Sequence, residues 1–285
     1  KPVAVFCVPE APDSLKALAA AGIAGFRTPE SCADAVRAFL DWRAPAAPAE
    51  PGGGLETTNA LLAKAASPRP DEAAALAVFR ALGVACAPHQ VLEGGETASA
   101  VGYPAAAKVL SADILHKTEI GGVVLGIADD AELAEAVAGI RARVAAAMPK
   151  AKVAGVLVQR MEQGMAEALV GYRLDPEVGP IVVLGAGGTL TELYDDATVR
   201  LAPVTRETAM EMIAEVRGLA PVLGYRGMPK GDAKALAAAV VALSRLALID
   251  GAAVAEAEIN PLIVKGEGRG VTAVDGLIVL ADASL

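Results

Sequence analysis

The stretch AKVLSADILHKTEIGG, running from Ala107 to Gly122, decides how this chain is read. It sets Lys108, His116, Lys117 and the Gly121-Gly122 pair within about one strand and one loop. These are groups that handle phosphate. Lysine supplies a point charge for phosphate oxygens, paired glycines let backbone N–H groups approach an anion, and an imidazole can accept a phosphoryl group or a proton. The chain has two histidines, His89 and His116, so imidazole chemistry has few places to go. His89 follows a proline, has no carboxylate close in sequence and reads as structural. A lysine near a glycine pair also suits an ordinary surface turn, so the stretch needs support from elsewhere.

That support comes from AEAEINPLIVKGEGRGVTAVDGLIVL, residues 255–280, which reads as two apolar strands around a Gly-rich turn. Side chains alternate along a strand, so Glu258 and Asn260 share a face, and a hairpin brings Asp275 opposite them. Two carboxylates and an amide oxygen suit Mg2+, a hard ion that fills its other positions with phosphate oxygens and water. A solvated strand face with Asp275 starting a turn is the plainer alternative, and the lysine and glycine loop tips the balance toward a Mg-nucleotide site.

The apolar fraction of 54% is inflated by alanine, and aromatics make up only 3%, so close-packed Ala-rich helices are expected. With 285 residues there is room for about two cored domains. A net charge of -9 and a pI near 4.9 exclude the basic field that nucleic-acid or anionic-membrane binding requires. Cys7, Cys32 and Cys86 show no CxxC pair, which fits core residues in a reducing cytosol with no structural zinc. No window is apolar for long enough to span a bilayer and no signal-peptide pattern opens the chain, so a soluble cytoplasmic protein is expected.

The chain starts at Lys1 without methionine and enters the strand-like KPVAVFCV at once, which reads as a fragment or a processed chain. A helix (about Asp13 to Ala21), a strand (GIAGF) and a second helix entered through Thr28-Pro29-Glu30 follow, the tail of a parallel α/β domain. From Arg43 to Pro70 the segments APAAPAEPGGG and SPRP flank a short helical piece and read as a linker. Beyond Asp71 the sequence is dense. DEAAALAVFRALGV is an amphipathic helix, TASAVGYPAAAKVL runs helix to turn to strand, and DDAELAEAVAGIRARVAAAM is a long helix charged as the dipole prefers. VAGVLVQRM and AEALVGYRL are strands, PIVVLGAGG is a strand into a glycine loop, and two helices precede the EINP hairpin.

GYPAAAKVLSADILHKTEIGGVVLG, VLVQRMEQGMAEALVGYRLDPEVGPIVVLGAGGTLTELYDDATVRLAPV, GYRG with Asp232, and EINPL together resemble the ATP-grasp part of the NDP-forming acyl-CoA synthetases, relatives of succinyl-CoA ligase. The resemblance implies an α/β chain. On this resemblance residues 71–285 are expected to form an ATP-grasp fold of two subdomains, 44–70 a linker, and 1–43 the terminal strand-helix units of a flavodoxin-like CoA-ligase domain. It implies a reaction in which acid, CoA and ATP give acyl-CoA, ADP and phosphate through an acyl phosphate and a phosphohistidine. ATP/ADP and Mg2+ are the implied cofactors, CoA is expected on the rest of the ligase, upstream or on another chain, and an oligomer is expected.

Carried over by position, Lys108 resembles the lysine that contacts the nucleotide phosphates, with Gly121, Gly122 and Val123 as their loop. Gln159, Arg160 and Met161 fall where the family holds adenine and ribose, and Glu167 where a carboxylate meets the ribose. Glu258, Asn260 and Asp275 resemble the metal ligands, and His116 the phosphoryl-relay histidine. Gly185, Gly187 and Gly188 offer a possible anion nest, and Glu192 could orient an imidazole or hold metal; a glycine-rich strand exit with an exposed glutamate is equally compatible. Arg200 follows Asp195 and Asp196 and is expected to pair with one of them. After Asp275 the family usually carries a small residue and then a base, where this chain has Gly276 and Leu277. Two rival functions share much of this pattern: a catalytically degenerate, synthetase-like regulatory region of an acyltransferase, and an ATP-grasp carboxylate-amine ligase. The histidine and the intact ligand set favour the synthetase.

Overall fold

The computed structural model describes residues 2–9, 11–42, 52–65, 67–94, 98–114, 116–188, 196–249 and 254–281. The chain divides into two compact units, Lys1–Ala47 and Pro48–Leu285.

In the first unit β1 (Ala4–Phe6), α1 (Pro12–Ala20), β2 (Ala24–Phe26) and α2 (Pro29–Asp41) alternate, and β1 pairs with β2 in parallel, Ala4 against Ala24. Helix α2 begins as the sequence predicts: Ser31 N donates to Thr28 Oγ1 at 3.2 Å and Pro29 occupies the first turn. Among the described residues of this unit only Cys32 is buried.

The second unit starts with α3 (Leu55–Ala63) and α4 (Glu72–Ala81). The helical piece that the sequence sets inside a linker is therefore packed structure: Thr58 and Leu62 are buried, and Leu62 joins the same core as α4. A four-stranded antiparallel sheet follows, in the order β3 (His89–Leu92), β6 (Gly155–Arg160), β4 (Ala105–Leu110), β5 (Val123–Ile127), with α5 (Asp130–Ala147) between β5 and β6 in sequence. Helix α5 starts where Asp129 accepts from Glu132 N at 2.9 Å, and its Leu133, Val137, Ile140 and Val144 pack on Ala105, Ala107, Val109, Val156 and Val158. The expected helix over TASAVGYP does not form in residues 98–104. Side chains capture that backbone instead: Gln90 donates to Ala98 O and accepts from Ala100 N, and Ser99 N donates to Asp130.

The second sheet has six strands, formed by β7 (Ala166–Asp175), β8 (Gly179–Ala186), β9 (Ala197–Leu201), β10 (Val254–Val264), β11 (Val271–Ala273) and β12 (Leu277–Leu280). Its order is β11-β10-β7-β8-β9, with β12 also on β10. Helices α6 (Arg206–Glu215), α7 (Ala220–Leu223) and α8 (Ala233–Ser244) add Met212, Ile213, Val222, Leu236, Val240 and Leu243 to a larger core around this sheet. Leu157 belongs to that larger core, whereas Val156 and Val158 belong to the one beneath α5. Strand alternation thus turns one face of the four-stranded sheet toward α5 and the other toward the six-stranded sheet. Among the described residues no helix is long and apolar enough to cross a membrane.

Candidate functional site

Register fixes which residues look into the space between the sheets. Lys108 stands directly opposite Leu157 on β6, and Ala106 opposite Gln159. Opposed residues of an antiparallel pair share a face, so Lys108 and Gln159 point the same way as Leu157, toward the six-stranded sheet. From that sheet comes the hairpin. Leu262 faces Ala273 and Glu258 faces Leu277, which leaves Asp275 in the irregular link opposite Asn260. A cavity of about 490 Å³ opens here, lined by His116, Lys117 and Val123 from one side and by Glu258, Asn260 and Asp275 from the other. The two stretches that the sequence singled out meet in one pocket of a size suited to a small ligand.

Beneath the pocket lies a residue that the sequence reading missed. Glu72, in the first turn of α4, has a side chain only 1% exposed and holds two lysines, one on each oxygen. Lys108 Nζ donates to its Oε1 at 2.7 Å and Lys117 Nζ to its Oε2 at 2.5 Å. Lys108 also donates to Val274 O at 2.7 Å and lies 3.6 Å from Asp275 Oδ2. Burial works to raise the Glu72 carboxyl, but the charges and hydrogen bonds of Lys108 and Lys117 outweigh it and hold the group below the ordinary range. Burial likewise works to lower the Lys108 ammonium, and Glu72 and Asp275 together raise it. The Asp275 carboxyl ends above its usual value, pushed up by partial burial and by Glu72 against the pull of Lys108. A signal for Glu72 was present in the sequence. It shares the helical stripe of Ala75, Leu76 and Phe79, all buried, and an acid on an apolar stripe needs a buried cation.

Other candidate residues fall in different places. Lys108 is not among the pocket-lining residues, since its ammonium is held by the groups just described. The amides of Gly121 and Gly122 are not free for phosphate, because the tight turn uses them: they donate to Thr118 O and Lys117 O. Gly187 N donates to Glu167 O and Gly188 N to Asn260 Oδ1 at 3.4 Å. That brings the glycine-rich exit of β8 to the hairpin, with its amides directed at protein oxygens in place of an anion nest. A Cβ on Gly188 would sit 2.6 Å from Glu167 Oε2, so Glu167 is carried to the same corner. Gln159 is buried, and its Nε2 has no hydrogen-bond partner among the described residues. Arg160 lies 3.6 Å from Glu162, and Met161 Sδ accepts from Gly126 N. Glu192 lies outside the described residues. Arg200 pairs with Glu215 of α6, whereas Asp196 accepts from Arg217 N and Gly218 N; strand-to-helix packing, not sequence proximity, chose the partners. His89 Nδ1 lies 2.9 Å from Ala87 O, a structural contact as expected.

His116 sits at the pocket with a side chain 78% exposed, its Nδ1 3.8 Å from Glu119, too far for a hydrogen bond to orient the ring. Five carboxylates (Asp71, Glu72, Glu119, Glu258, Asp275) and two permanent cations (Arg69, Lys117) line the cavity. That field attracts a cation and repels a bare polyphosphate. Among the described residues no three His, Cys, Asp or Glu side chains form a metal cluster. The donor set here is Glu258, Asp275 and the Asn260 amide oxygen, all hard oxygens in an acidic pocket with room for further ligands, and it fits Mg2+.

A family model described as an ATP-grasp domain matches residues 62–280. The ADP-forming acetate–CoA ligase I of Archaeoglobus fulgidus is 37% identical over 211 residues, covering 73% of this chain and 30% of that protein. The beta subunit of ADP-forming acetate–CoA ligase I of Pyrococcus furiosus is 36% identical over 180 residues, covering 63% of this chain and 76% of the subunit. Among solved structures, the dinucleotide-forming acetyl-coenzyme A synthetase 1 of Ca. Korarchaeum cryptofilum matches with a TM-score of 0.67 and 27% identity, over 79% of this chain and 100% of that one. That structure holds coenzyme A and Mg-AMPPCP, with a phosphohistidine segment pointing towards the nucleotide binding site. The chain spans less than a third of the full length of the A. fulgidus ligase.

Proposed function

This chain belongs to the ATP-grasp family, in the branch of the ADP-forming acyl-CoA ligases, and from that premise we propose that it is the nucleotide-binding, phosphoryl-transfer half of such a ligase. The observation that carries the reading is the single pocket in which the His116 loop meets the Glu258, Asn260 and Asp275 hairpin. In this reading the nucleotide phosphates lie in that pocket, with the base toward Gln159, whose unpartnered Nε2 supplies a buried donor. Glu258, Asn260 and Asp275 hold Mg2+, which when bound neutralises phosphate charge and fixes its orientation.

His116 is the phosphoryl acceptor. A neutral imidazole nitrogen attacks the terminal phosphorus as the bond to the ADP oxygen breaks, giving phosphohistidine and ADP. Its exposure supports a relay, because the same ring must meet the nucleotide and then a group arriving from the ligase part. The K. cryptofilum structure, with Mg-AMPPCP bound and a phosphohistidine segment pointing towards the nucleotide binding site, supports phosphoryl exchange between nucleotide and a histidine. CoA and acid are handled on the rest of the ligase, upstream or on another chain, within an oligomer. The parallel strand-helix units of residues 2–42, with little buried surface of their own, suit the end of that CoA-ligase domain. The three free cysteines suit a reducing cytoplasm.

The test is transfer of label from γ-labelled ATP with Mg2+ in the complete ligase. An acid-labile, base-stable label that vanishes in His116→Ala, while Mg-ADP binding is kept, supports the reading. Ligase activity surviving His116→Ala within about tenfold, about 1.4 kcal/mol of barrier, removes the relay role.

A further inference from the structure

We propose that strand β9 is an interaction edge at which two copies of this chain pair, antiparallel about Val199, so that their six-stranded sheets join into one.

The two edges of that sheet differ. At one, β11 is covered by the segment leading into β3: Ala87 N donates to Ala273 O at 2.9 Å and Ala273 N to Ala85 O at 2.8 Å. At the other, β9 pairs with β8 and, among the described residues, with no further strand. The register shows which main-chain groups remain. Ala186 N donates to Asp196 O at 3.1 Å and Ala202 N to Pro180 O at 2.8 Å. Bonded and non-bonded pairs alternate along an antiparallel ladder, so Thr198 and Arg200 also bond toward β8, and the N–H and C=O groups of Ala197, Val199 and Leu201 point outward. Arg200 Nη1 donates to Val199 O at 2.9 Å, and that carbonyl keeps a second lone pair.

The side chains at these positions are apolar and open. Val199 is 49% and Leu201 64% exposed, and they continue a face shared with Val183 and Ile181, their opposite numbers on β8. Sheet edges of soluble proteins are ordinarily guarded by a lysine, a proline or a bulge. Strand β9, ATVRL, has none of these, and its one charge, Arg200, is paired with Glu215. A second copy fits because the strand is complementary to itself. With a two-fold axis at Val199, that residue meets the partner's Val199, Leu201 meets the partner's Ala197, bulky against small, and about six main-chain hydrogen bonds form. On the opposite face Arg200 stands against the partner's Thr198, and in each copy the Thr198 hydroxyl donates to Glu215 at 2.5 Å. Each guanidinium thereby approaches a second carboxylate across the seam, and no like charges face each other.

Sedimentation velocity of this chain over a range of concentrations, combined with cysteine cross-linking, tests the assignment. The wild type is expected to be dimeric at roughly 100 µM, a weak association in keeping with a small interface. Val199→Pro should be monomeric there with its melting temperature little changed, because the N–H it removes points away from β8. Val199→Lys, the charge that natural edges use, should act in the same way. In the dimer the two Val199 Cα atoms stand about 5.5 Å apart, within the span of a disulfide. Val199→Cys should therefore link to itself under mild oxidation, above the background of the three native cysteines. Leu201→Cys should not, since its two copies lie about 13 Å apart along the strands. A wild type that is monomeric at that concentration overturns the proposal. So does a dimer that persists in both Val199→Pro and Val199→Lys, or one in which Leu201→Cys links and Val199→Cys does not. Where neither Val199→Pro nor Val199→Lys folds, the cross-linking pattern decides alone.

Discussion

Replacing Glu72 with alanine should be among the most damaging single changes in the second unit that leave its apolar core intact. The substitution removes a carboxylate 1% exposed and leaves Lys108, 9% exposed, without its main counter-charge. Breaking a buried pair by deleting one partner costs about 3–5 kcal/mol. Lys108 keeps Val274 O and a nearby Asp275, and Lys117 can turn into the pocket, which places the loss near the lower end, about 3 kcal/mol. For a unit of this size that is a fall in melting temperature of about 6–12 °C. The pH dependence has a definite sign. The lysines hold the Glu72 carboxyl below its ordinary value, so its contribution is present above about pH 4.5 and is lost as pH falls through the depressed folded value. Urea denaturation of wild type and Glu72→Ala at pH 7 and at progressively lower pH should show a gap that closes in acid. Pairing Glu72→Leu with Lys108→Met should recover part of the loss, because no buried charge is then left alone. A penalty under about 1 kcal/mol at pH 7, or a gap that persists unchanged in acid, would refute the argument.

Gly187→Ala should destabilise by about 2 kcal/mol, since its Cβ would stand 2.7–2.9 Å from the backbone of Ala168 in a neighbouring strand that cannot shift; chemical denaturation measures it. Gly276→Ala should cost a similar amount, because its Cβ would meet the fully buried Phe79 ring at 2.4 Å, and it should also weaken Mg-ADP binding by moving Asp275. Asp275→Asn should raise the melting temperature of the ligand-free chain modestly at neutral pH: a carboxyl raised above its unfolded value carries a cost when charged, a cost absent below about pH 3.8. The side chain is 42% exposed, so the gain is small. An unchanged or lower melting temperature would mean that the contact with Lys108 outweighs burial.

Much of the fold was readable because local chemistry and tertiary packing agree. The Thr28-Pro29 entry caps its helix, the long helix carries acidic residues at its start, and Glu258 and Asn260 alternate with the buried Ile259, all as their residue types favour. Asp275 was legible through the hairpin, since register there is fixed by the strands on either side of a Gly-rich turn. The misreadings have a common physical source, competition for hydrogen-bond partners that sequence spacing does not reveal. Residues 98–104 lost their helix to Gln90 and Asp130, and the Gly121 and Gly122 amides went to their own turn. Arg200 found Glu215 in preference to its neighbours in sequence. Lys108 lies in a strand buried at every position, and that alone called for a buried acid. Pairing it with the glutamate on the apolar stripe of α4 was an available inference that the phosphate reading obscured.

The claim that the His116 loop and the EINP hairpin form one Mg-nucleotide pocket is tested most directly by titrating ADP into this chain, with and without Mg2+, for wild type, Asn260→Ala and Asp275→Ala. The account predicts one saturable site per chain that Mg2+ tightens in wild type, with the Mg2+ effect largely lost in both variants and metal-free affinity changed far less. No saturable binding to the folded wild type at millimolar nucleotide, or the same Mg2+ effect in all three proteins, would contradict it.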